Sequence, residues 1–228
     1  MDELRPNSQR AKNAIALIWV VMITCVITLI LEIIQLLVSY EIIPEEYISE
    51  NTSFIIASIA GYTAILTFLA LIASAITFIQ WFRRAYYNLE KKMNKLEYSN
   101  GWAAGAWFIP IINLFVPYRI MKELYIKTDQ YLLLNSKEPY TERLKTDYVK
   151  GWWTIWIFSL IFGSISFRIE WSFSSIDTGS NLFLSVINSA IETTLCIITI
   201  IIIEDYNKAE KLLFETEEKE DSSIEKAL

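Results

Sequence analysis

Among the polar residues inside stretches otherwise apolar enough for lipid, two carboxylates and one amide are the candidates for chemistry: Glu32, Glu192 and Asn113. A carboxyl group at membrane depth is costly, so it faces the interior of a bundle and has a partner. Glu32 and Glu192 are therefore candidates for a proton- or cation-handling pair. The alternative is a pair of protonated carboxyls hydrogen-bonded to Gln35, Asn188, Ser189 or Thr193. Asn113 lies midway between Pro110 and Pro117 in the stretch GWAAGAWFIPIINLFVPYRIMKELY, residues 101–125. Each proline removes a backbone donor and clashes with the preceding turn. An asparagine amide both donates and accepts, so Asn113 is expected to tie down the broken backbone. Its other possible role is to line a cavity for an ion or small ligand, as broken helices do in transporters.

A second group is charged or aromatic. Arg84, Arg119, Lys122 and Glu123 are expected where a helix leaves the membrane, either as a solvated surface facing lipid phosphates or as an Arg–Glu clamp. Trp102, Trp107, Tyr118 and Tyr125 read as interfacial anchors rather than a ligand cage. The chain has no histidine, which removes imidazole-ligated metals and a histidine general base. Cys25 and Cys196 each sit in an apolar run and read as buried thiols. No phosphate loop, nucleophile elbow or metal-type spacing is present, so no catalytic residue, metal site or cofactor is expected. The basic central loop is better explained by lipid headgroups than by nucleic acid.

The elements that must position these groups are membrane helices. Of the 228 residues, 54% are hydrophobic, and mean hydropathy is positive. Four apolar runs read as membrane spans, about residues 14–40, 54–82, 151–167 and 182–203, the second long enough to span with tilt. Small residues recur at four-residue spacing in the second run (Ala57 and Gly61, Ala60 and Ala64, Ala70 and Ser74). That spacing lets helix backbones approach closely, so this helix is expected to be the most buried of the bundle. Trp152, Trp153 and Trp156 open the third run, as the headgroup region selects. Residues 1–13 are a polar lead. Residues 101–135 read as a proline-broken interfacial or re-entrant segment followed by an amphipathic surface helix lying half in lipid and half in water. Residues 204–228 carry nine acids against four lysines and read as an acidic tail, frayed helix passing into disorder. The fold class is thus an all-α integral membrane protein of four transmembrane helices.

Orientation follows from the basic residues. The lead carries three, the loop after the first run none, residues 83–150 twelve, the third loop Arg168 alone and the tail four. Nineteen of the twenty lie on one side of a four-pass arrangement, which places both termini and the proline-broken segment in the cytoplasm.

The residues W-F-R-R-A-Y-Y-N from Trp81 to Asn88, followed by the stretch from Gly101 to Tyr125, resemble an uncharacterised family of bacterial membrane proteins with four membrane helices, a domain of unknown function. The matching positions are Trp81, Arg84, Tyr86, Asn88, Trp107, Phe108, Pro110, Asn113, Pro117, Arg119 and Glu123, and the likeness covers roughly residues 50–210. The resemblance implies a four-helix architecture in a bacterial inner membrane and brings no activity with it. Three readings of function stand. A membrane-embedded interaction or structural module leads, with the lipid bilayer, a membrane-protein partner or a second copy as its contacts. A small transporter or channel using Glu32, Glu192 and the Pro110–Asn113–Pro117 break is second. An enzyme is third, because only carboxylates remain as acid–base groups.

Overall fold

A computed structural model describes residues 4–44, 47–93, 95–136, 140–141, 143–172 and 178–225, with 170–172 and 217–225 as backbone alone. Seven α-helices follow one another: α1 (Ser8–Ser39), α2 (Glu50–Lys92), α3 (Asn100–Gly105), α4 (Pro110–Asn113), α5 (Val116–Asn135), α6 (Thr146–Ser172) and α7 (Thr178–Glu225), with a 3-10 turn at Ala106–Phe108 between α3 and α4. No strand occurs among the described residues. Helices α1, α2, α6 and α7 are long and apolar enough to cross a membrane. They match the four expected runs and overrun them, α2 and α7 most, because charged residues continue the helix beyond the apolar stretch. The apolar spanning parts of α2 and α7 end near Phe82 and Ile203.

The helix ends follow local chemistry. At the end of α1 the Ile42 N–H bonds the Leu37 carbonyl at 3.0 Å and the Glu41 N–H bonds that of Val38 at 2.9 Å, with Glu41 at φ 57°. This is a Schellman closure with glutamate where glycine is usual, and Pro44 follows. Pro110 and Pro117 each fall in the first turn of a helix, α4 and α5, where a missing N–H costs nothing.

The chain forms two compact units. The first comprises residues 1–15, 75–153 and 200–228; the second comprises 16–74 and 154–199. The first has a dense core. Trp81, Phe82, Tyr86, Leu89, Ile120, Met121, Leu124, Tyr125, Leu132 and Tyr206 are all fully buried. On α5 the buried positions recur every three or four residues, so its apolar face is covered by protein. The expected amphipathic helix is present, with one face buried in this unit and Arg119, Gln130, Leu133 and Leu134 exposed on the other. The same holds for the start of the expected acidic tail: Tyr206, Glu210 and Leu213 of α7 are buried, with a spacing that keeps one face inward. The far end of that tail, 226–228, lies outside the described residues.

In the second unit the packed positions are fewer. Ile18, Val21 and Cys25 of α1, Thr63, Ala70 and Ser74 of α2, and Ser189 and Cys196 of α7 are buried. The expectation that α2 is the most buried helix fails. Only 11% of its most apolar stretch is buried, the same as α6 and below the 28% of α1 and α7. Its packing face is Thr63, Thr67, Ala70 and Ser74, so only the Ala70–Ser74 pair serves the expected role. Ala57, Gly61 and Ala64 are exposed.

Candidate functional site

The carboxylate site is built by α1, α6 and α7 in the second unit. Helix periodicity puts Asn181, Ser185, Asn188, Ser189 and Glu192 along one side of α7, and Glu32 of α1 meets them. Ser189 Oγ donates to Glu32 Oε2 at 2.7 Å. One turn along, Asn188 Nδ2 donates to Glu192 Oε1 at 3.2 Å, and Cys25 Sγ lies 3.7 Å from Glu192 Oε2. Two of the partners read from sequence, Asn188 and Ser189, are therefore the ones used. Thr193 turns its hydroxyl to the Ser189 carbonyl instead. Cys25 and Cys196 are free, buried thiols. Sequence reasoning did not give Cys25 this place; its offset of seven residues from Glu32, two helical turns on α1, was the available signal.

Beside Glu32 opens a cavity of about 210 Å³ whose walls include Gly163, Ser166, Asn181, Ser185, Asn188 and Ser189. Gly163 backs onto the Asn188 amide; a Cβ there would lie in ordinary contact, 3.7 Å from Asn188 Oδ1. Ser166 Oγ and Asn181 Oδ1 are buried atoms with no hydrogen-bond partner among the described residues. Asn113 belongs to the first unit and is not among the lining residues.

The proline-broken segment works differently from expectation. The backbone it frees is satisfied by the backbone itself: the Asn113 N–H bonds the Ile109 carbonyl at 2.8 Å, Leu114 that of Ile111 at 3.2 Å, and Phe115 that of Ile112 at 3.0 Å. The Asn113 side-chain oxygen is buried without a partner among the described residues. Asn113 is thus not the tie its position between prolines indicated, because two short helical turns close the break unaided. The break exposes Phe108, Ile109, Ile111 and Phe115.

The Arg–Glu clamp is not formed either. Glu123 accepts from Tyr86 OH at 2.6 Å and from the Glu97 N–H at 2.8 Å. Burial and the Glu123 carboxylate push the Tyr86 phenol well above its usual range, so Tyr86 keeps its proton and acts as donor. Arg84 lies over the Tyr87 ring at 5.7 Å, beside Arg5 at 4.6 Å. Arg119 is exposed on α5. Of the expected aromatic anchors, Trp102 is partly exposed, as an anchor should be. Trp107 packs edge-on against Phe78, Phe82, Trp152 and Trp153, and Tyr118 stacks on Trp153 at 5.9 Å. Tyr125 is fully buried and donates to the Ile202 carbonyl at 2.9 Å.

Asn88 and Asn7 each make three side-chain hydrogen bonds in the first unit. Asn88 Nδ2 donates to Glu210 Oε1 at 2.7 Å and to the Arg5 carbonyl at 2.9 Å, and its Oδ1 accepts from the Arg5 N–H at 3.0 Å. Asn7 Nδ2 adds bonds to both Glu210 oxygens, at 3.2 and 2.9 Å, and to the Trp81 carbonyl at 3.3 Å. Burial raises the Glu210 carboxyl to about 7 even with these donors against it. Neither Glu210 nor Asn7 stood out in sequence, since both lie in segments that read as solvated.

Four helices long and apolar enough to cross a membrane, two carboxyls within them held by neutral partners and a proline-broken segment define an all-α, multi-pass membrane protein. More narrowly, the chain belongs to the family described as Domain of unknown function (DUF4328), whose family model matches residues 45–208. No curated protein and no solved structure matches the chain.

Proposed function

We propose that this protein is a membrane-embedded interaction module that associates with a second copy through α2. The observation that carries the reading is Gly61. It is exposed in the apolar half of α2, and a Cβ built there meets nothing within 4 Å. Ala57, Gly61 and Ala64 share one helix face at i, i+4 and i+7. The protein's own packing uses Thr63, Thr67, Ala70 and Ser74, roughly a third of a turn away. In lipid, apolar side chains give no drive to associate, and helices meet where small residues let backbones come close. Ala57 also borders a cavity with Ile34 and Val38 of α1 and Leu182 of α7, so the outward small residues are Gly61 and Ala64, and these suit the close approach of a second helix. The nineteen-to-one distribution of basic residues supports a cytoplasmic location for both termini and for the first unit. Exposed Phe108, Ile109, Ile111 and Phe115 on the proline-broken segment suit the lipid interface there. The resemblance read from the sequence supports a bacterial inner membrane as the location.

The test is energy transfer between donor- and acceptor-labelled full-length protein in vesicles, at varied protein-to-lipid ratio. Gly61→Leu should weaken self-association about tenfold or more while leaving the melting temperature of the monomer in detergent unchanged. Concentration-independent transfer at the random-encounter level for the unaltered protein would defeat the reading.

A further inference from the structure

We infer that the cavity beside Glu32 is a binding site for a hard monovalent cation of the alkali class, a reading independent of how α2 associates. Every polar group that matters on its wall offers oxygen: the Glu32 carboxylate, Ser166 Oγ, Asn181 Oδ1, Ser185, Asn188 Oδ1 and Ser189 Oγ. Oxygen-only sites with no thiolate or imidazole select hard cations over transition metals. Cys25 does not enter the set, since its sulfur is turned to Glu192 and it is not on the wall.

Two of these oxygens are otherwise unexplained. Ser166 Oγ and Asn181 Oδ1 are buried and have no hydrogen-bond partner among the described residues, though both line the cavity. Buried polar atoms are seldom left unpaired, and an acceptor without a donor is what a cation satisfies. Asn188 completes the logic. Its Nδ2 is committed to Glu192, which leaves its Oδ1 beside Gly163 on the cavity side.

Charge fixes the valence. Unit two contains eight acids and, as its only basic residue, Arg168, which is exposed and does not line the cavity. Glu32 therefore has no protein cation to balance it there, and its hydroxyl donor, Ser189, is neutral. One carboxylate on the wall is neutralised by one positive charge. Calcium sites draw on more ligands and usually several carboxylates. The volume fixes hydration. About 210 Å³ holds an ion together with several waters, each occupying ~30 Å³. The ion keeps part of its shell, so sodium and potassium are both admitted.

The experiment is thermal unfolding of the full-length protein in detergent, in 100 mM NaCl, KCl or choline chloride at equal ionic strength. The alkali salts should raise the melting temperature by about 3–5 °C over choline, the shift a site about ten times below saturating salt gives a chain of this size. Glu32→Gln should remove the difference, since glutamine keeps the Ser189 bond and loses the charge. Asn181→Ala should reduce the difference by at least half, and it keeps the test informative if Glu32→Gln does not fold. Equal melting in all three salts would overturn the proposal, as would an alkali shift that survives Glu32→Gln. A shift produced by 1 mM CaCl2 and not by NaCl or KCl would overturn the monovalent assignment.

Discussion

The two units of this protein bury polar groups by opposite means. In the first, Glu210 accepts three amide bonds from Asn7 and Asn88, Glu123 accepts from Tyr86 and Glu97, and Asp129 accepts from Nε and Nη2 of Arg143, with distances of 2.6–3.2 Å. Glu123 and Glu210 lie beside the fully buried rings of Tyr86 and Tyr206. In the second, Glu32 and Glu192 have one or two neutral donors each, a polar cavity opens beside them, and large side chains such as Tyr62 and Phe68 point outward. The difference fits the proposed placement of the first unit in water and of the second in lipid. A water-facing unit is held by its own core, and its buried charges must be matched internally. Apolar helices in lipid have no such drive to close-pack, so gaps and outward rings cost them little.

The comparison breaks first on large side chains. Trp81 is fully buried in the first unit and Tyr62 is 77% exposed in the second. Trp81→Ala should destabilise the protein by about 3–5 kcal/mol through the cavity it leaves. Tyr62→Ala should change stability by less than about 0.5 kcal/mol. Reversible unfolding in mixed micelles measures both, and equal losses would erase the distinction.

A somewhat smaller effect comes from Glu210. Its carboxyl is raised to about 7 when folded, from an ordinary value near 4.5. The folded state thus holds its proton more tightly than the unfolded chain. The associated stability is fully present below pH 4.5 and is lost as pH rises to 7, amounting to about 3 kcal/mol over that window. Glu210→Gln should remove this part of the pH dependence while keeping the site's shape. A variant whose stability falls with pH as steeply as the unaltered protein would place the titrating group elsewhere.

The smallest effect is at Asn113. Because its side-chain oxygen is buried and unpaired among the described residues, Asn113→Leu should be neutral or stabilising by up to about 1 kcal/mol. A loss above about 1 kcal/mol in the same unfolding assay would restore the structural tie that its place between prolines indicates.

Much of this was legible in the residues themselves. Twenty-odd apolar residues cannot be hidden in water, so the four spans, their order and the break at Pro110–Pro117 follow from composition and backbone chemistry alone. The neutral partners of Glu32 and Glu192 were also within reach, because Asn188 and Ser189 flank Glu192 on one helix. What sequence could not separate was amphipathic helix against lipid from amphipathic helix against protein. α5, Tyr125 and the Tyr206–Leu213 stretch carry the same periodicity either way, and only the arrival of residues 78–89 and 152–153 beside them decides what covers the apolar face. Asn7 and Glu210, 203 positions apart, meet only because the chain returns. Small residues on α2 pose the converse case: spacing marks a surface fit for close approach, and tertiary structure alone assigns Ala70 and Ser74 to the bundle and leaves Gly61 outward. Local chemistry fixes where a helix begins, ends and breaks; which of its faces is inside depends on contacts between distant segments, and no local pattern encodes them.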